Sequence, residues 1–137
     1  MKLLLRIMLA TVLVNLTPAV AKAPKEAVAS PALQKEFDGF IEKFRAALKA
    51  NDFAAIAGMT RLPFMNDSAI RDAAQFRAKI YATSFTAKNR ACLQRGKALY
   101  AREEGKTDTY YVFCGEDIFT FTKTPAGFLF TEVGVND

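Results

Sequence analysis

The chain has no histidine and no tryptophan, and only two cysteines, seven glycines and five prolines in 137 residues. Without histidine, no acid–base pair or nucleophilic dyad can be built on an imidazole. Two cysteines alone fall short of the four ligands of a structural zinc site. Their positions, Cys92 and Cys114, are not the C-x-x-C spacing of a redox pair. Neither a glycine-rich phosphate loop nor a nucleophile elbow occurs. No cofactor and no metal is therefore expected, no residue is assigned a catalytic role, and hydrolase or transferase activity is not expected. Long apolar runs are also scarce. The only candidate, residues 7 to 16, is shorter than the roughly 20 residues a membrane-spanning helix needs.

That short run has another use. Lys2 and Arg6 precede it, and Ala19-Val20-Ala21 follows as a small-x-small cleavage signature before Lys22, the pattern of a secretory signal peptide over residues 1–21. Residues 22–30 read as a flexible leader, and residues 31–137 as a single α+β domain. The mature chain is expected in the periplasm or secreted, with no stable membrane anchor after cleavage. An oxidising compartment favours a Cys92–Cys114 disulfide, which encloses about 22 residues and contributes roughly 3 kcal/mol in the chain-entropy picture. The formal charge of +5 falls to about +3 once Lys2 and Arg6 are removed. The remaining cations alternate with Glu and Asp along helical segments, a solvated surface rather than a nucleic-acid patch, so no nucleic acid is expected as a partner.

The first half of the domain is helical in pattern. Ser30-Pro31 marks a helix start, and Leu33, Phe37, Phe40, Ile41, Phe44 and Leu48 form one apolar stripe. Asn51 ends this helix and Asp52 caps a short second one through Phe53, Ile56 and Met59. Pro63 makes residues 61–65 an extended edge segment. Asn66-Asp67-Ser68 is expected to restart a helix carrying Ile70, Ala73, Phe76, Ile80 and Tyr81, and Thr86 to open another through Cys92 and Leu93 to Gly96. The sequon formed by residues 66–68 is a short motif, common by chance, and the capping role accounts for it.

Residues 97 to 135 are dense in Tyr, Phe, Val, Ile and Thr, broken by turn signals at EEGK, CGED and TPAG, the pattern of an antiparallel meander. A two-residue turn at Gly115-Glu116 pairs Cys114 with Asp117, Val112 with Phe119 and Tyr110 with Phe121. A three-residue turn at Pro125-Ala126-Gly127 pairs Thr124 with Phe128, Thr122 with Phe130 and Phe119 with Val133. Strict alternation then places Tyr110, Val112, Cys114, Phe119, Phe121, Leu129, Thr131 and Val133 on one face. Tyr111, Phe113, Ile118, Phe128 and Phe130 fall on the other, outer face. Helices cannot cover both faces, so these five residues are expected to form an interface, most simply in a homodimer.

The order of a long helix, the short helix in LKANDFAAIAGM, the Leu62-Pro63-Phe64 segment, the helix in DAAQFRAKIYATSF and a meander ending FLFTEVGVND resembles the nuclear transport factor 2-like, or SnoaL-like, superfamily. The resemblance implies N-terminal helices packed on one face of a curved antiparallel sheet of about four strands, a cone-like or cystatin-like roll with a pocket inside. It also implies dimerisation through the outer sheet face. On that basis Val112, Phe119, Phe121 and Leu129 would wall a pocket for a small apolar ligand, with Tyr110 inside it and Tyr100 and Arg61 near its mouth. The plainer reading makes Tyr110 a core residue with a satisfied hydroxyl and Arg61 a surface residue. No catalytic residue of the superfamily carries over. The expected function is a secreted or periplasmic non-catalytic protein, an interaction or small-ligand-binding module whose partner is a small apolar ligand or another periplasmic protein. The competing reading is a SnoaL-type enzyme acting on a small apolar substrate without histidine. The carboxylates beside the sheet, Asp108, Glu116, Asp117 and Glu132, lie mostly at turns.

Overall fold

A computed structural model describes residues 27–102 and 107–136. The signal-peptide segment, the first part of the leader and the EEGK turn lie outside the described residues. No described helix is long and apolar enough to cross a membrane.

Helix α1 (Pro31–Lys49) starts where Ser30 Oγ accepts from the Leu33 N–H, and it buries Phe37, Ile41, Phe44, Ala47 and Leu48. Asn51 takes a positive φ of 52°, and Asp52 caps α2 (Phe53–Gly58) by accepting from the Ala55 N–H. The chain then runs along the sheet edge. Thr60 bridges Phe130 in parallel, and a 3₁₀ turn follows at Phe64–Asn66. The expected helix start at residues 66–68 is not used. Asp67 instead turns back to accept from the Ala69 N–H, and the helix begins one loop later, where Asp72 accepts from the Gln75 N–H. An Asp in a tight turn satisfies itself locally as readily as it caps, so the first Asp of the pair offers no discrimination. Helix α3 (Ala73–Phe76) passes through a π-helical turn (Arg77–Tyr81) into α4 (Ala82–Ser84). Thr86 caps α5 (Ala87–Arg95), which ends at Gly96. A Cβ on Gly96 would lie 2.7 Å from Val112 Cγ1 and 2.9 Å from the Cys92 carbonyl oxygen, so only glycine fits between α5 and the sheet.

The strands β1 (Leu99–Ala101), β2 (Thr109–Cys114), β3 (Asp117–Thr124) and β4 (Gly127–Val135) form one antiparallel sheet in sequence order. The helices pack on one side, an α+β arrangement. The sheet is flat and open, neither curled nor closed, and this overturns the cone-like roll and with it the SnoaL-like resemblance. Closure would need partners for β1 and β4 on their outer sides. The three-residue β1 pairs only with β2, and β4 meets only the isolated bridge at Thr60.

The β2–β3 register is the expected one, including Cys114↔Asp117, Val112↔Phe119 and Tyr110↔Phe121. The β3–β4 register is not. Thr124 pairs with Gly127, Thr122 with Leu129 and Phe121 with Phe130, and a register shift between Thr120 and Phe121 restores Phe119↔Val133. The extra residue is Thr131, and a bulge there reverses alternation for the rest of β4 toward the turn. Phe128 and Phe130 therefore lie on the helix side, 4% and 0% exposed, and Leu129 lies on the outer face. This corrects their assignment to an outer interface. The bulge has its own hydrogen bonds: Thr131 Oγ1 is 2.8 Å from Thr122 Oγ1 and donates to the Thr120 carbonyl at 3.3 Å.

The core is largely aromatic. Phe130 has ring centroids within 6.4 Å on Phe44, Phe64, Phe76, Phe85, Phe119 and Phe121, joining α1, the 3₁₀ turn, α3 and the sheet. Edge-to-face pairs such as Phe44–Phe121, at 5.1 Å and 81°, add to the burial energy. Cys92 and Cys114 form the expected disulfide, with Cα atoms 5.7 Å apart, tying α5 to the end of β2.

Candidate interaction surface

The expected pocket residues do not surround a chamber. Tyr110, Val112, Phe119 and Phe121 are each at most 1% exposed, and helix side chains fill the space in front of them. Phe37 stacks on Tyr110 with centroids 3.7 Å apart and planes 6° from parallel. The Tyr110 hydroxyl donates to Gln34 Oε1 at 2.8 Å, and the Gln34 amide donates to Asp38 at 2.8 Å. Burial, with Asp38, Tyr100 and Asp108 adding, raises the Tyr110 pKa to about 12, which keeps it a neutral donor. Leu129 sits on the opposite face, and Arg61 is exposed beside β4, where its backbone N–H donates to the Phe130 carbonyl at 2.9 Å.

On the outer face, Phe113 is 46% and Leu99 45% exposed, and Tyr111, Ile118 and Leu129 are half-buried. Phe113 and Ile118 are direct cross-strand neighbours, as are Leu99 and Tyr111. Between them run Thr109, Thr120, Thr122 and Thr131. These short side chains are shielded by larger neighbours, and Thr120 lies between Tyr111 and Glu132. Sequence reasoning brought Tyr111, Phe113 and Ile118 to this face and missed Leu99 and Leu129. The missing signal was the bulge. In Phe128-Leu129-Phe130, burying two rings in place of one leucine favours the register that points both phenylalanines inward.

A polar cluster stands at the β1 edge. The Tyr100 hydroxyl donates to Asp108 Oδ1 at 2.6 Å, and Arg102 reaches the same oxygen at 3.5 Å. The hydrogen bond to Asp108, followed by burial, raises the Tyr100 pKa. Beside this cluster a cleft of about 430 Å³ follows the strand, lined by Ala27 and residues 97 to 102. At the other end of the sheet Asp117 accepts from Asn89 Nδ2 at 2.6 Å, tying the β2–β3 turn to α5. These contacts give each of the two carboxylates a structural partner. Among the described residues no group of His, Cys, Asp or Glu could hold a metal ion.

Compared with family models, curated proteins and solved structures, the chain matches none. Function must therefore be argued from the chain's own surfaces.

Proposed function

We propose that the chain is an exported, non-catalytic interaction module that meets a partner, most simply a second copy of itself, through the outer face of the sheet. The observation that carries this reading is the division of apolar residues between the two faces. The inner set is consumed by helix packing, with Phe119, Phe121 and Phe130 all at 0% exposure and Phe44 of α1 packed against Phe121 and Phe130. The outer set, centred on Phe113, Leu99 and Tyr111, has no covering element among the described residues. An exposed aromatic patch of this kind usually marks an interface, and a two-fold pairing needs only one self-complementary patch. Export is supported by the signal-peptide pattern over residues 1–21 and by the disulfide, which oxidising compartments maintain.

Two measurements test this. Mass spectrometry of protein expressed with its own N-terminus should find a chain beginning at Lys22; retention of residues 1–21 would refute export. Sedimentation should give a dimer for the wild type at high micromolar concentration and a monomer for a Leu99→Asp, Phe113→Asp double variant that keeps the wild-type circular dichroism spectrum. A monomeric wild type would refute pairing.

A further inference from the structure

The two edges of the sheet are not equivalent. At β4 the backbone of Phe130 is already used: its N–H donates to the Met59 carbonyl at 2.8 Å and its carbonyl accepts from Arg61 N–H at 2.9 Å. The bulge beside it further disrupts that edge. At β1 the ladder's phase shows which groups face outward. The Lys123 N–H donates to the Asp108 carbonyl at 2.9 Å, and Cys114↔Asp117 closes a two-residue turn, so the even-numbered residues of β2 bond toward β3. Its odd-numbered residues bond toward β1. Their partners there are Leu99 and Ala101. The N–H and C=O of Tyr100, between them, therefore point away from the sheet.

The cleft of about 430 Å³ runs along this edge, lined by residues 97 to 102 in sequence. Among the described residues that line it, the charged ones are Lys97 and Arg102, one at each end. Among the described residues Lys97 forms no ion pair, and Arg102 meets Asp108, which it shares with the Tyr100 hydroxyl. We propose that the β1 edge takes up an extended, carboxylate-bearing segment of a partner protein as a fifth strand. Tyr100 would supply the main-chain pair, and Lys97 and Arg102 would meet the acidic side chains. A second copy of β1 is the competing occupant, and dependence of Tyr100 protection on protein concentration alone separates the two. This inference goes beyond the face-pairing reading and does not depend on it.

The test uses the mature full chain, as wild type and as a Phe113→Asp variant that removes face pairing. The probes are a six-residue peptide with glutamate at its first two and last two positions and valine between, which presents glutamate on both faces of the strand, and its counterpart with lysine in place of glutamate. Binding of the acidic peptide should slow exchange of the Tyr100 amide proton and leave the Leu99 and Ala101 amides, already bonded, unchanged. The lysine peptide should not bind. Lys97→Glu should weaken the acidic peptide about five- to tenfold, the scale of reversing one exposed charge. No binding at millimolar peptide would overturn the proposal, as would shifts confined to Phe113 and Ile118. Tyr100 protection that rises with protein concentration alone would assign the edge to a second copy. Protection already present and lost on removing residues 22–26 would assign it to the chain's own leader. Either result would overturn the proposal.

Discussion

Tyr110 shows how one side chain can be fixed by three neighbours of different kinds. Phe37 covers its ring, Gln34 accepts from its hydroxyl, and Tyr100 packs beside it with centroids 5.3 Å apart. Because burial raises its pKa to about 12, the folded chain holds this proton more tightly than the unfolded chain, whose tyrosines titrate near 10. The linkage sign follows. The stabilisation from keeping Tyr110 protonated is complete below about pH 10 and is lost as pH rises from there through about 12. Tyr100 is shifted in the same direction and adds to the trend. Denaturant midpoints measured from pH 8 to 11.5 should fall above pH 10 in the wild type and fall less steeply in Tyr110→Phe. That variant should also lose about 1 kcal/mol at neutral pH, because Gln34 Oε1 loses its donor. Equal slopes in the two proteins would show that Tyr110 titrates normally. That the hydroxyl would be satisfied was readable from the residue type; that Gln34 satisfies it was not, since 76 positions separate the two.

Among the elements, the capped helices were the most legible, because Ser30, Asp52 and Thr86 each cap through a side-chain oxygen only three residues from its donor. Local geometry decides such features. The β2–β3 hairpin was legible for the same reason, its register set by a two-residue turn. Strand β4 was not, because the bulge at Thr131 depends on packing across the domain: α1 and α3 demand two phenylalanines where strict alternation from Val133 supplies Leu129 alone. The correction has a direct consequence. Phe128→Asp buries a charge in the core and should leave the chain largely unfolded by circular dichroism, a loss above about 4 kcal/mol. Phe113→Asp, on the outer face, should change stability by under about 1 kcal/mol. A folded Phe128→Asp protein would return that ring to the outer face and the register to an unbulged one.

For the molecule as a whole, the sequence carried the composition of its layers but not the shape of the sheet. The order of helices and strands resembled a cone-forming superfamily. What separates a cone from a flat sheet is whether inward side chains leave space, and that depends on the sum of twelve phenylalanines finding partners. Here they do. Phe130 alone touches rings from α1, the 3₁₀ turn, α3 and two neighbouring positions of β3, so no layer can loosen without opening contacts in another. Such a core should unfold as one unit. Tyr81 reports the helical side and Tyr110 the sheet, and no tryptophan obscures them. Tyrosine emission and far-ultraviolet circular dichroism should therefore give superimposable urea transitions. Reducing the Cys92–Cys114 bond, which links residues 22 positions apart, should move both curves together to lower urea, corresponding to about 3 kcal/mol. The disulfide constrains the unfolded chain and leaves the aromatic core unchanged, so cooperativity should survive reduction. If the tyrosine signal instead separates from circular dichroism once the bond is reduced, α5 and the sheet are held together by the covalent link, and the aromatic core does not unify the domain.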